Sequence, residues 1–302
     1  MRQQKIYYAS LADEAQRYGD MIEYMGWIVQ KSVKKQKDLS NDEKNLFNIG
    51  YKNLITQKRR QHRIILEKIY QFQEEEKDDE SEENQMKMGL MNITKDKIES
   101  EICEICDKIL ETVDLLQEFS KTSESRVFYS KLRADFQRYL ADASYTDHYQ
   151  SKVQKAKENY ETAIRDAEGL FTTHPLRLAT ALNYSVFMFD NLKQPAKAVE
   201  LAKSAFDMAL FDLETVEEEM IQETLRVMQL LRDNVTLWEA DLKYDEMQVQ
   251  NQIDEEDRVE LRKIIERKHL DEEQRKKNLL HLHNNNVYQE DLIKKDTDNI
   301  FL

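Results

Sequence analysis

Apolar residues return at helical spacing through most of this chain, on stretches that nothing interrupts. Leu11, Ala15, Tyr18, Met21, Ile22 and Met25 mark the apolar faces of two helices within residues 1–32. Leu39-Ser40-Asn41-Asp42-Glu43 starts a third: Ser40 as N-cap with Glu43 three residues on spells a capping box. No proline follows before about Gln73, and Gly50 is the one weak point, so a single long helix is expected there. Further helices are expected over about 94–118, 125–143 and 148–168. Pro175 and Pro195 suit the first turns of two more, reaching about Leu192 and Thr215, and residues 217–242 carry a ninth.

Two stretches break the pattern. Residues 74–92 are strongly acidic and read as a solvated loop or a frayed helix end. Residues 243–302 are a charged extension beyond the helical domain 1–242. Val259, Ile264, Ile265, Leu270, Leu279 and Leu280 give it an amphipathic pattern, and both a further helix and disorder stay open for it.

Composition agrees with helices. Five glycines and two prolines in 302 residues can build few turns, so the fold class is all-α, with long helices and short connections. Lys and Arg number 45 against 59 Asp and Glu, a net charge of −14, which makes nucleic acid a poor partner. No apolar run approaches the roughly 20 residues that span a bilayer, so no membrane is expected. The N-terminus lacks the apolar core of a secretory signal, and there are only two cysteines; the expected setting is cytoplasmic, with the nucleus also open.

Enzyme signatures are missing. There is no Gly-rich phosphate loop, no His-Glu-x-x-His and no local nucleophile set, and the many paired carboxylates read as a solvated face. Cys103 and Cys106 form a Cys-x-x-Cys with no second pair, which fits two small buried residues one turn apart on a helix. His281 and His283, two apart, are splayed on a helix. The expectation is no enzyme, no metal and no cofactor.

Against the acidic background a few cations are concentrated. Arg138-Tyr139 places a guanidinium beside a phenol within a predicted helix, and Lys52 and Arg59 stand seven residues apart on another. Seven residues is almost two turns, so both point the same way. Two guanidiniums can grip a phosphate with charge-assisted hydrogen bonds, a lysine adds a point charge and a tyrosine a neutral donor. A phosphoserine, carrying about −1.5 to −2, is a matching anion. Asn183 and Asn234 sit amid apolar helical residues, where an amide needs partners and can match an extended peptide backbone. Leu182 and Val186, like Leu230 and Asn234, are four apart, so each helix can show an apolar and a polar strip to one ligand; ordinary inter-helix packing accounts equally well for the leucines.

Five segments resemble the 14-3-3 family of phosphopeptide-binding adaptors: Leu46-Phe-Asn-Ile-Gly-Tyr-Lys-Asn, Val127-Phe-Tyr with Arg138-Tyr-Leu-Ala, His174-Pro-Leu-Arg-Leu with Leu182-Asn-Tyr-Ser-Val-Phe, Ala198-Val-Glu-Leu-Ala-Lys-Ser-Ala-Phe-Asp207, and Met228-Gln-Leu-Leu-Arg-Asp-Asn-Val-Thr-Leu-Trp. They occur in the family's order from residue 5 to about 242. The resemblance implies nine antiparallel helices, a cup-shaped homo- or heterodimer, and a groove in each subunit for phosphoserine or phosphothreonine peptides of client proteins. It puts Lys52, Arg59, Arg138 and Tyr139 in the phosphate pocket and Asn183 and Asn234 on the peptide backbone. Lys131, Asn45, Leu182, Val186, Val227, Leu230 and Trp238 fall on the groove lining, and Asp190 stands where a glutamate contacts the peptide. Leu11 and Ala15 fall on the apolar dimer contact. Arg17 and Asp20 fall on one side of its ion pairs, with Glu101 and Lys97 on the other.

Departures from the family pattern carry expectations too. Arg226 replaces a leucine on the groove's apolar wall, favouring acidic over apolar residues after the phosphosite. Gln61 replaces a serine whose phosphorylation splits the dimer, so that switch should be absent. Thr94 replaces a tyrosine of the interface, which weakens dimerisation and leaves a monomer open. The tail 243–302 is expected to fold back over its own subunit or to occlude the groove. The competing reading is a helical-repeat scaffold for unphosphorylated partners, which would need a 34-residue repeat that is not found.

Overall fold

The computed structural model describes residues 1–76, 81–143 and 149–250, the last six by backbone alone. The described residues are all-α, with nine α-helices and no strand: α1 (Arg2–Glu14), α2 (Tyr18–Lys34), α3 (Asn41–Glu75), α4 (Glu82–Gln117), α5 (Ser123–Asp142), α6 (Tyr149–Ala167), α7 (Pro175–Asp190), α8 (Pro195–Phe211) and α9 (Ile221–Gln250). A single 3-10 turn, Leu213–Thr215, follows α8. Met1–Ala240 forms one compact unit. The expectations for the tail beyond Gln250 lie outside the described residues.

Local chemistry explains the boundaries. Ser40 Oγ accepts from the Glu43 amide (3.3 Å) and the Glu43 carboxylate accepts from the Ser40 amide (3.0 Å), the full capping box at the start of α3. Thr122 caps α5 by accepting from Ser125 N. Pro175 and Pro195 occupy first-turn positions of α7 and α8.

The acidic stretch departs from expectation. α4 begins at Glu82, not near Thr94, so most of 74–92 is helical. Ser81 caps it, Glu82 and Glu83 face the positive helix end, and Lys87 pairs with Glu83 one turn back. Acidic residues in a first turn stabilise a helix; counted only as charge, they resemble a solvated loop.

Consecutive helices pack on one another from α1 to α6, most extensively α5 on α6, and α7 packs on α8. Met21, Met25, Phe47, Tyr51, Ile55, Cys106, Ile109 and Phe136 belong to a core shared by α2 to α5. Gly50 is part of that core: a Cβ there would meet Ile22 at 3.1 Å and Met21 at 3.3 Å, so the residue lets α2 approach α3. Leu178, Ala202, Met228, Leu231 and Trp238 unite α7, α8 and α9 in a second core. The α2–α3 connection is strapped to α5, because Asp38 accepts from Ser125 Oγ (2.6 Å), Tyr129 OH (2.6 Å) and Lys44 Nζ (2.9 Å). Burial alone would push the Asp38 carboxyl up; Ser125, Tyr129 and Lys44 reverse that and hold it below its ordinary value. This strap fixes α3 against α5, the two helices that carry the predicted cations.

Candidate functional site

Arg59 of α3 and Arg138 and Tyr139 of α5 come together. The Arg59 guanidinium lies over the Tyr139 ring, 4.4 Å from its centroid, and donates through Nη2 to Asp142 Oδ2 at 2.9 Å. Arg138 is buried and donates through Nη2 to Asp190 Oδ2, at the end of α7, at 3.1 Å. Its Nε is buried, lies 3.8 Å from Asp142 Oδ2 and makes no hydrogen bond among the described residues. Asp142 Oδ1 accepts from Asn191 Nδ2 at 2.8 Å, so this carboxylate ties α3, α5 and the end of α7. Lys52, half-buried, stands seven residues before Arg59 on α3.

The electrostatics follow from these contacts. Burial works against the charge of Arg138, but Asp142 and Asp190 outweigh it and its pKa is pushed further up. The Asp190 carboxyl is pushed up by burial; Arg138 opposes this, Asp142 reinforces it, and Lys193 and Arg59 oppose it more weakly. The cluster therefore holds fixed cations beside one carboxyl group that keeps its proton more readily than an ordinary aspartate.

A second network lies one to two turns earlier on α5. Asp135 is buried and accepts from Lys131 Nζ (2.6 Å), Tyr160 OH (2.7 Å) and Asn183 Nδ2, which reaches both carboxylate oxygens at 2.9 and 3.0 Å. Burial alone would raise the Asp135 carboxyl; Lys131, Asn183 and Tyr160 hold it below its ordinary value. A carboxylate only accepts, so the orientation of the Asn183 amide is determined: Nδ2 is committed, and Oδ1 remains as an acceptor. Asn183 was expected to offer both donor and acceptor to a peptide; within this network it offers an acceptor.

α7 and α9 supply the apolar side. Leu182 and Val186 of α7 and Val227 of α9 are partly buried against their shared core, with Leu230 also half-buried. Trp238 is buried and stacks on Phe189, centroids 4.9 Å apart. Asn234 is half-buried and its side chain makes no hydrogen bond among the described residues, so both its donor and acceptor are open. Arg226 is half-buried on α9 with Glu223 one turn before it, and Asn45 is exposed on the second turn of α3.

The residues expected at a dimer contact are at the surface. Leu11, Ala15, Arg17 and Lys97 are exposed, and Asp20 and Glu101 are half-exposed. Within the chain Arg17 pairs with Asp20 (2.5 Å) and Glu101 with Lys58 (2.6 Å). Thr94 is exposed and donates to the Leu90 carbonyl of its own helix.

Two residues central to the site were absent from the sequence reading, Asp135 and Asp142. Each stands four residues after a cation on α5, Lys131 and Arg138, and that spacing was the available signal. In an acidic chain the same spacing also describes a solvated face; Asp135 is buried, Asp142 is half-buried, and the partners each draws from other helices distinguish them.

Among the described residues, nine helices that bring two arginines, a tyrosine and two part-buried carboxylates together beside a half-buried apolar wall describe an all-helical binding protein. The sequence pattern of the 14-3-3 protein family matches residues 8–239. The chain is similar to a 14-3-3 protein homolog of Trichoderma harzianum, with 40% identity over 77% of this chain and 86% of the relative. It is 36% identical to a 14-3-3 protein of Eimeria tenella over 83% and 91% of the two chains, and 38% identical to Protein BMH2 of Saccharomyces cerevisiae over 80% and 85%. The chain belongs to the 14-3-3 family.

Proposed function

We propose that this protein is an adaptor that clamps phosphoserine or phosphothreonine segments of client proteins and so regulates their activity or location. Lys52, Arg59, Arg138 and Tyr139 take the phosphate. Asn183, through its free carbonyl oxygen, and Asn234 take the peptide backbone. Leu182, Val186, Val227 and Leu230 take the apolar flank. The observation that carries this reading is the convergence of Arg59 and Arg138, from two helices, on Asp142 Oδ2, with the Arg59 guanidinium over the Tyr139 ring. Two forked cations and a phenol suit a compact dianion on an otherwise acidic protein.

The adaptor acts as a dimer through α1 and α4. Leu11 on the first and Met86, Leu90 and Ile93 on the second are exposed apolar residues, the last three at spacings of four and three along one helical face. Pairing Arg17 with Glu101, and Asp20 with Lys97, across subunits would exchange the local pairs for intermolecular ones. The free thiols of Cys103 and Cys106 suit a reducing compartment such as the cytoplasm.

Titration of a labelled peptide, with and without its phosphate, against wild type and Lys52→Glu tests the assignment. The phosphorylated peptide binds wild type at least about 100-fold more tightly, since each charge-assisted contact contributes about 1.5–3 kcal/mol. Lys52→Glu abolishes the difference, and the peptide is recovered unchanged. Equal affinity for both peptides would point to a scaffold for unphosphorylated partners.

A further inference from the structure

The proposed phosphate site is already occupied by carboxylates. Arg59 is held by Asp142 and Arg138 by Asp190, so an arriving phosphate meets two cations that each have an anionic partner. The two aspartates differ. Among the described residues Asp142 has two hydrogen-bond partners, Arg59 on α3 and Asn191 just past α7, and lies near a third group, Arg138 Nε. Asp190 has one hydrogen bond among the described residues, from Arg138 Nη2 at 3.1 Å. The groups facing Asp190 are Arg138 and Asp142 on α5, Arg59 on α3 and Lys193 in the α7–α8 connection.

A phosphate dianion that displaces Asp190 from Arg138 Nη2 removes the one hydrogen bond that Asp190 has among the described residues. It also sets a second negative group beside a carboxylate that already faces Asp142. Arg59 and Lys193 remain as compensation, and Arg59 is itself shared between Asp142 and the phosphate. Neutralising the carboxylate is the smaller cost, because an unpaired charge in a part-buried site is expensive.

We propose that Asp190 is a proton acceptor coupled to ligand binding: phosphopeptide entry transfers a proton from solvent to its carboxylate, and the resulting acid hydroxyl donates a hydrogen bond to the phosphate. The proton comes from water or buffer, and no other bond is made or broken. Asp190 thus acts as an internal competitor in the empty site and as a donor in the filled one. Its upward-shifted carboxyl in the empty site agrees with this role. The inference rests on the phosphate-binding reading above and adds one property to it, a proton count.

Calorimetric titration of a singly phosphorylated peptide into the full chain at pH 7.5, in two phosphate-free buffers of different ionisation enthalpy, counts that proton. Phosphoserine itself has a second pKa of about 6, so selecting its dianion would release protons, the opposite sign. Wild type takes up a substantial fraction of a proton, and its Kd rises about 2–3-fold from pH 7 to pH 8, as linkage requires. Asp190→Asn binds without uptake and without that pH dependence, whereas Asp142→Asn, which removes one of the two negative neighbours of the Asp190 carboxylate, lowers the uptake without abolishing it. On wild type alone, a difference infrared spectrum on peptide binding shows a new carboxylic-acid carbonyl band, so the test stands even if a variant fails to fold. Binding without proton uptake, or uptake unchanged in Asp190→Asn, overturns the proposal while leaving phosphate recognition intact. No binding of the phosphorylated peptide overturns both.

Discussion

The guanidinium of Arg59 rests on the face of Tyr139, 4.4 Å from the ring centroid, and that ring is held edge-on against Phe136 at 5.2 Å. The aromatic core of α5 therefore aims a cation carried by α3. A lysine at 59 keeps the charge but loses the fork and the planar stacking. Arg59→Lys is expected to weaken phosphopeptide binding about 10-fold, a loss of about 1.4 kcal/mol. Tyr139→Phe keeps the ring and removes one neutral donor, a smaller loss of about 1 kcal/mol. Fluorescence anisotropy with one phosphopeptide checks both; a larger loss for Tyr139→Phe than for Arg59→Lys would contradict this ranking.

Asp135 holds three donors from three helices, Lys131, Tyr160 and Asn183. Removing it leaves a part-buried cation and two polar groups without this acceptor. Asp135→Ala should cost about 3–5 kcal/mol, the range for breaking a buried ion pair, read as a drop in urea midpoint. Asp135→Asn keeps the shape but frees the Asn183 amide to turn, so peptide affinity should fall even where the variant is fully folded.

His174 caps α7 through its imidazole, with Nδ1 accepting from the Leu176 amide at 3.1 Å. Burial holds its pKa below the ordinary 6.5, against the pull of Glu124 and Glu217. A cation whose folded pKa is depressed stabilises the fold fully above its unfolded value, and that contribution is lost as pH falls through about 6.5 towards the folded pKa. Protonation also removes the cap acceptor and puts a positive charge at a helix N-terminus. His174→Asn, a cap that does not titrate, should therefore be relatively more stable at pH 5 than at pH 7.5, by about 1 kcal/mol. Denaturant unfolding of both proteins at both pH values isolates this from the other acid-sensitive groups; parallel pH curves would refute it.

The exposed apolar residues of α1 and α4 predict the effect of a charge there. Leu11→Glu combined with Leu90→Glu should convert a dimer into a monomer by light scattering coupled to gel filtration. Both positions are solvent-facing in the single chain, at 39% and 57% exposure, so stability of the subunit should change by no more than about 0.5 kcal/mol. An unchanged molar mass would place any interface elsewhere.

Much of this molecule was legible in its sequence, because helix formation is local. The capping box at Ser40–Glu43, the prolines at 175 and 195 and the 3.6-residue apolar pattern act within a few residues, and the helices they imply are present. The start of α4 was missed for a related reason. Its acidic first turn stabilises a helix, while composition alone counts such residues as solvated.

The cations of the site were visible as residue types, and a family resemblance named them. Their surroundings were not visible. Asp142 lies 83 residues from Arg59 along the chain, Asp190 52 from Arg138 and Asn183 48 from Asp135. No periodicity joins positions that far apart. By itself the sequence determined where helices begin and end and which side chains carry charge, since both depend on near neighbours. Tertiary packing alone decided which carboxylates are buried, which cation each one holds and which amide atom of Asn183 the Asp135 carboxylate takes. Those outcomes depend on how α3, α5 and α7 meet, and on the desolvation that makes each buried charge find a partner.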